Sequence, residues 1–293
     1  MDYIYSISIP HYNSPVLLRR MLKSIPERED IQLIVVDDGS SEENVNALKK
    51  LQHKNLELVF LEENRGGGYA RNIGLQHAKG KWFISVDADD YFSDDAFDVF
   101  DKYKDEQIDC LYFCVQCVDT ETGEVTRELV ANKKVSKYLK DSSKKAEQLL
   151  RFHNLESWNK LVSMKFIKKN NISYENCRIN IDVLYSILIG MRVERYKVIP
   201  NKLYYFTENP DSITHKKRTV EREFQFYLQV QKRNGFYKAI GLNHLPFFRA
   251  DYLYVPFMLK KRGLKDTIEF FRLWWEHREE RKQARKEYLE YVR

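Results

Sequence analysis

Short apolar runs that stop abruptly in polar clusters recur through the first third of the chain. Ile4-Tyr5-Ser6-Ile7-Ser8-Ile9 ends in Pro10-His11-Tyr12-Asn13, and Leu33-Ile34-Val35-Val36 ends in Asp37-Asp38-Gly39-Ser40. A third run, Leu56 to Leu61, leads into Glu62-Glu63-Asn64-Arg65-Gly66, and Trp82-Phe83-Ile84-Ser85-Val86 stops at Asp87-Ala88-Asp89-Asp90. Each run has strand length and β-branched or aromatic content, while the stretches around Leu17 to Ile25 and Tyr69 to Ala78 carry helical spacing. Strands alternating with helices predict a mostly parallel sheet covered on both faces. Ligands of such sheets bind outside the carboxyl ends of the strands, where this chain gathers its Asp, Asn, Arg and Gly residues.

The cluster after the fourth run is the densest in chemistry. If the strand continues, Asp87 and Asp89 point the same way about 6.6 Å apart. Two carboxylates so placed repel unless a cation lies near them, and Mg²⁺ or Mn²⁺, with its preference for oxygen, suits that place and the phosphates of a diphosphate. The alternative is a solvated Asp-rich turn that starts the next helix.

Other features narrow the choice. Gly66-Gly67-Gly68 lacks the Lys-Ser/Thr of a P-loop and does not give GxGxxG after a strand, which disfavours ATP hydrolysis and dinucleotide binding. The glycines are expected to let the backbone approach a ligand while Arg71 is aimed inward, the alternative being a surface loop with Arg71 in an ordinary ion pair. Cys110, Cys114 and Cys117 fall on a further strand, Ile108 to Val118, with the first two on one face and the third on the other, so buried thiols are favoured over a zinc site. Cys177 stands alone, and a disulfide framework is not expected. Asp182 precedes the apolar run Val183 to Ile189 and could cap a helix there.

Taken together in order, these segments resemble glycosyltransferase family 2, the inverting, nucleotide-sugar-dependent enzymes with the GT-A fold. Ser8-Ile9-Pro10-His11-Tyr12-Asn13 resembles the family's S-I-P-x-Y-N, Val35 to Ser40 its V-V-D-D-G-S, Asn64 to Gly74 its N-x-G…A-R-N-x-G, and Asp87 to Asp90 its DxD. Trp158-Asn159-Lys160-Leu161 resembles a W-N-K-L segment that many members carry. The resemblance implies a Rossmann-like α/β fold with a mostly parallel sheet flanked by helices and a helical C-terminal extension. It places the uracil and ribose of a UDP-sugar against Pro10, Tyr12, Asp38 and Asp37, and Mn²⁺ or Mg²⁺ on Asp89 with help from Asp87. Arg71 would offset charge on the diphosphate, and a late residue, His215, would join the metal site, unless it is simply a solvated loop histidine. Asp182 would be the base that activates a hydroxyl of a glycan or lipid-linked acceptor. Here the chain departs from the pattern: Ile181 stands where the family usually has Glu before that Asp.

Composition fits this reading without carrying it. The chain has 293 residues and a formal net charge of +6, and its length suits a catalytic domain of residues 1–215 with a helical, aromatic and basic extension over 216–293. No apolar run reaches the roughly 18 residues that span a bilayer and no secretory signal opens the chain, so a cytoplasmic protein, or one peripheral to the inner face of a membrane, is expected. Basic residues are dispersed, with no nucleic-acid-binding signature, and nucleic acid is not an expected partner. In the tail, Ile268, Phe271 and Trp275 are expected to pack inward, leaving Phe270 and Trp274 as surplus apolar surface for a membrane or another subunit. Two other functions stay open. A sugar nucleotidyltransferase would share the alternation but would carry a Gly-rich basic loop after its first strand, and a catalytically inactive GT-A-like scaffold is kept in view by Ile181.

Overall fold

The structure, a computed structural model, describes residues 3–208, 219–242 and 254–292. The chain divides into two compact units, Met1–Pro210 and Asp211–Arg293.

The first unit is built on an eight-stranded sheet. Its strands are β1 (Tyr5–His11), β2 (Ile31–Asp37), β3 (Leu56–Phe60), β4 (Trp82–Ser85), β5 (Tyr91–Phe92), β6 (Cys110–Asp119), β7 (Lys160–Ser163) and β8 (Tyr196–Glu208). Their spatial order is β3-β2-β1-β4-β7-β6-β8-β5. The first four strands pair in parallel, β6 and β8 are also parallel, and β7 and β5 run against their neighbours, which makes the sheet mixed. Helix α1 (Pro15–Lys23) explains its own boundaries: Pro15 opens the first turn, where its missing N–H costs nothing, and Arg20 and Lys23 sit where the helix dipole favours cations. Its Leu18, Met21 and Leu22 fall on one face and are buried against Ile7, Ile9, Leu33 and Val35 of the sheet. Burial of that kind contributes about 1.5–3 kcal/mol per large aliphatic side chain. The helices that follow are α2 (Glu42–Leu48), α3 (Gly67–His77), α4 (Ala96–Asp101), α5 (Val130–Lys140), α6 (Lys144–His153), α7 (Met164–Lys169) and α8 (Asp182–Arg192). Cys110, Cys114 and Cys117 are free thiols buried in β6, where burial pushes Cys110 up to about 12 and Cys114 up to about 11.

The second unit contains α9 (Val220–Ala239), α10 (Tyr254–Glu276) and α11 (Arg278–Glu287). Thr219 caps α9 by accepting from the N–H of Arg222 at 3.2 Å. Helix α10 breaks at Gly263, whose φ of 82° is open to glycine at little cost. The core joins Phe224, Tyr227 and Leu228 to Tyr254, Met258 and Phe270. The expected facing of the tail is therefore reversed. Phe270 is fully buried and the indole N–H of Trp274 donates to the Tyr227 hydroxyl at 3.1 Å, whereas Ile268 and Trp275 are 63% and 66% exposed. The reason is α9: its Phe224 and Tyr227 offer ring edges to Phe270, and that partner decides which stripe of α10 turns inward. None of the described helices is long and apolar enough to cross a membrane.

Candidate active site

Two acidic turns lie side by side at the carboxyl edge of the sheet, because β2, β1 and β4 are parallel neighbours. In the first, Asp37 ends β2 and is almost fully buried. Its Oδ1 accepts from His11 Nδ1 at 2.8 Å and from Ser40 Oγ at 2.5 Å, and its Oδ2 accepts from the Ser40 N–H at 3.1 Å. The backbone N–H of Ser14 donates to His11 Nε2 at 3.1 Å, which assigns the proton to Nδ1 of a neutral ring. Burial works to raise the Asp37 carboxyl, and these hydrogen bonds outweigh it, so the group is held below the usual carboxylate range. Asp38 is spent in the same way on the next loop, its two oxygens accepting from the N–H groups of Arg65 and Gly66 at 2.8 Å each. Pro10 is half-buried and Tyr12 is 51% exposed at the rim of this turn. Asn13 ties the two loops together, donating its N–H to Ser40 Oγ and accepting from the Ser41 N–H, both at 2.9 Å.

The second turn differs from the expected strand. β4 ends at Ser85, and residues 87–90 form a turn in which the Asp90 N–H donates to the Asp87 carbonyl at 3.3 Å. Strand alternation therefore does not govern these carboxylates; the turn folds Asp87, Asp89 and Asp90 so that their oxygens lie within 4.8 Å of one another. Asp90 points into the protein, accepting from the Tyr204 hydroxyl at 2.8 Å and the Thr207 N–H at 2.7 Å. Burial raises its carboxyl well above the ordinary range, with the charges of Asp89 and Asp87 adding to the effect. Asp87 accepts from Arg71 and remains partly exposed. Asp89 is different: among the described residues its carboxylate makes no ion pair or side-chain hydrogen bond, and burial together with the charge of Asp87 raises it to about 6. Its carbonyl, by contrast, is held by Arg20 and by Thr207 Oγ1 at 2.6 Å, which fixes the turn. Arg20 and Arg71 oppose the rise of the Asp89 carboxyl without forming an ion pair with it, and a carboxylate so crowded by another fits a hard divalent ion with Asp87 as the second ligand.

Arg71 connects this turn to the expected base. The guanidinium is buried, donates to Ser85 Oγ and Asp87 Oδ1, and places Nε 3.5 Å from Asp182 Oδ1. Burial disfavours its cation, but Asp182 and Asp87 more than compensate and raise its pKa. Arg71 is thus aimed inward as expected, with its charge already balanced by two carboxylates. Asp182 occupies the first turn of α8, and the position before it, Ile181, makes no side-chain cap. Burial raises the Asp182 carboxyl, opposed by Arg71. The structure therefore brings Arg71, Asp87, Asp89 and Asp182 into one connected site, with Asp37 and Asp38 beside it as braces. His215 lies outside the described residues.

Three of the parts that hold this site were not visible in the motifs. The glycine run lets the backbone approach another part of the chain: a Cβ on Gly68 would sit 1.9 Å from the Glu175 carbonyl and 2.7 Å from Ile181, and one on Gly66, at φ 95°, would meet Arg178. Ile181, in place of the family's acid, packs its methyls into the space those glycines leave. Asn72, next to Arg71, grips the same segment, accepting from the Tyr174 N–H at 2.8 Å and donating to the Tyr174 carbonyl and to Asn176, each at 2.9 Å. The Trp-Asn-Lys-Leu segment is structural as well: Trp158 stacks on Tyr204 at 5.9 Å, and the Tyr204 oxygen accepts the Asp87 N–H at 3.0 Å. Lys160 is buried, donates to the Glu156 carbonyl and to Asn159 Oδ1 at 3.1 Å, and is pushed down by burial to about 8.

The mixed sheet with an acidic turn and a half-buried carboxylate at its edge defines a GT-A fold. Residues 6–169 match Glycosyl transferase family 2, and the chain belongs to that family. It is 26% identical over 250 residues to the uncharacterized glycosyltransferase EpsJ of Bacillus subtilis, covering 82% of this chain and 71% of EpsJ. It is 25% identical over 255 residues to the poly(ribitol-phosphate) β-N-acetylglucosaminyltransferase TarS of Staphylococcus aureus, covering 84% of this chain but 41% of TarS. Among solved structures, residues 1–349 of S. aureus TarS in complex with UDP-GlcNAc superimpose with a TM-score of 0.63 at 18% identity, over 99% of this chain and 82% of that one. That likeness establishes the fold.

Proposed function

We propose that the chain is an inverting, metal-assisted glycosyltransferase that moves a sugar from a UDP-sugar to a hydroxyl of a cell-surface polysaccharide or its lipid-linked precursor. The catalytic part is residues 1–215. The observation that carries this reading is the Arg71 bridge, which sets a half-buried carboxylate, Asp182, beside the acidic turn where a diphosphate would be held. The UDP donor is supported by the UDP-GlcNAc complex of TarS, and the surface polymer by the names of TarS and of the minor teichoic acid biosynthesis protein GgaB of B. subtilis.

In this mechanism the exposed ring of Tyr12, with Pro10, lies against the base, while Asp37 and Asp38 hold the loops that shape the nucleotide pocket. A divalent cation on Asp89 and Asp87 would supply positive charge to the diphosphate as it departs. Asp182, made more basic by burial, takes the proton of the acceptor hydroxyl. The acceptor oxygen forms a bond to the anomeric carbon as the bond to the diphosphate oxygen breaks, and the electron pair leaves with UDP. A single displacement inverts the linkage. Arg71 keeps Asp87 and Asp182 apart and oriented. His215 is a further candidate for the metal. The exposed Leu264, Ile268 and Trp275 of the second unit support a membrane or subunit contact there.

Asp182→Asn tests the assignment. It keeps the shape while removing the basicity, so transfer from a panel of UDP-sugars should fall by about a hundredfold or more with UDP affinity unchanged. Full transfer by Asp182→Asn would place the base elsewhere, with Glu175 the next candidate.

A further inference from the structure

A second concavity lies at the opposite end of the same sheet. It encloses about 1120 Å³ and is formed by the turn into β4, the residues before β6, helix α7 and the loop after α8. Trp82 opens β4 in the cleft and Ser85 closes it about 10 Å further along the strand, with the acidic turn beyond that end. Backbone hydrogen bonds fasten its floor: the Asp109 N–H donates to the Arg195 carbonyl at 2.6 Å, the Ser163 N–H to the Asp109 carbonyl at 2.9 Å, and the Met164 N–H to the Lys81 carbonyl at 2.9 Å.

The charge in this cleft is one-sided. Seven lysines and arginines line it against three acids. Two of those acids are already engaged, Asp109 with Arg195 at 2.9 Å and Glu106 with Lys197 at 2.6 Å. Lys79, Lys165, Lys168 and Lys169 are exposed and form no ion pair among the described residues. Unpaired lysines around a concave, fastened surface raise the local concentration of anions.

We infer that this cleft binds a flexible polyanion, a chain carrying repeated phosphate or carboxylate groups, at a place separate from the transfer site. Its volume exceeds what a single small metabolite fills, and its cations are mobile point charges rather than a fixed fork, which suits a repeating charge over one shaped ligand. Of the three rings in the lining, Trp82 and Phe166 are buried at 1% and 6% exposure and Tyr3 alone is part-exposed, so no succession of platforms is offered to stacked bases. No large apolar side chain of the lining is exposed for insertion among lipids either. The inference does not depend on the transferase reading, because its test measures binding alone.

The test compares two sets of three lysines on the full chain. Lys165, Lys168 and Lys169→Gln removes three of the seven cations of the cleft, and Lys140, Lys144 and Lys145→Gln removes the same charge from exposed positions at α5 and α6 outside it. Binding of labelled long-chain inorganic polyphosphate and of polyglutamate is measured by anisotropy across a salt series, the two probes separating phosphate from carboxylate. The parent should bind at least one of them with a log–log salt slope of about −2 to −3, as expected for releasing ions from three or four contacts. The cleft variant should lose at least tenfold in affinity and about two units of slope, the outside variant less than twofold, and UDP affinity should be unchanged in both. Equal losses in the two variants, no binding of either probe, or tighter binding of oligouridine or anionic vesicles than of both probes would each overturn the inference.

Discussion

The two acidic turns at the carboxyl edge of the sheet have nearly the same composition and opposite electrostatics. Around Asp37 and Asp38 every carboxylate oxygen accepts a hydrogen bond, from His11, Ser40 and two backbone N–H groups, and Asp37 is held below the usual carboxylate range despite its burial. Around Asp87 to Asp90, one acid is satisfied from inside, one is shared with Arg71, and Asp89 makes no ion pair among the described residues and is raised to about 6. An acid whose hydrogen bonds the chain supplies braces its loop at little electrostatic cost, and an acid crowded by its neighbours is a candidate for a ligand's charge.

The largest effect should come from removing the group that links the second turn to Asp182. Arg71→Met leaves Asp87 and Asp182 without their shared cation, and because both carboxylates are part-exposed the cost should be about 3 kcal/mol, the low end for breaking a buried pair from one side. Urea denaturation should show that loss. A cost under about 1 kcal/mol would mean that the bridge is not a support. Next, Asp38→Ala strands the N–H groups of Arg65 and Gly66 and should cost about 2–3 kcal/mol, given the strength of hydrogen bonds to a charged acceptor. If Asp38→Ala instead abolishes UDP binding with stability intact, the first turn is a binding group and the contrast fails.

Asp89→Asn should have the opposite sign. A carboxyl raised on folding binds its proton more tightly in the native state, so apo stability is lost as pH rises from about 4 through about 6 and the cost is fully present above that. The asparagine removes it, and metal-free Asp89→Asn should be more stable than the parent by about 1 kcal/mol at pH 7.5 and equal to it near pH 4. Thermal denaturation in chelator at the two pH values checks this, and a loss of stability at pH 7.5 would contradict it. The smallest expected shift is in the pH profile. The acid limb of transfer should lie above about 4, because burial raises Asp182, and a limb at or below that value would mean an ordinary solvated carboxylate acts as base.

Much of this was legible in the sequence because it is local. The apolar runs ended within a residue or two of the observed strands, and the four motifs fell at one edge of one sheet because parallel strands end together. What was not legible depends on partners far along the chain. The inward turn of Asp90 is set by Tyr204 and Thr207, more than a hundred residues later. The glycine run is explained by the carbonyl of Glu175 and the methyls of Ile181, so its meaning was hidden until residues 175–181 had a place. In the tail, helical spacing marked two apolar stripes on α10, and only the rings of α9 determine which one is buried.

The contrast between the turns is tested most directly by calorimetric titration of UDP into the parent and Asp89→Asn, each with Mn²⁺ and with chelator at pH 7.5. Mn²⁺ should strengthen UDP binding to the parent by at least tenfold, or about 1.4 kcal/mol, and leave Asp89→Asn unchanged. Equal UDP affinity of the parent with Mn²⁺ and with chelator would contradict it.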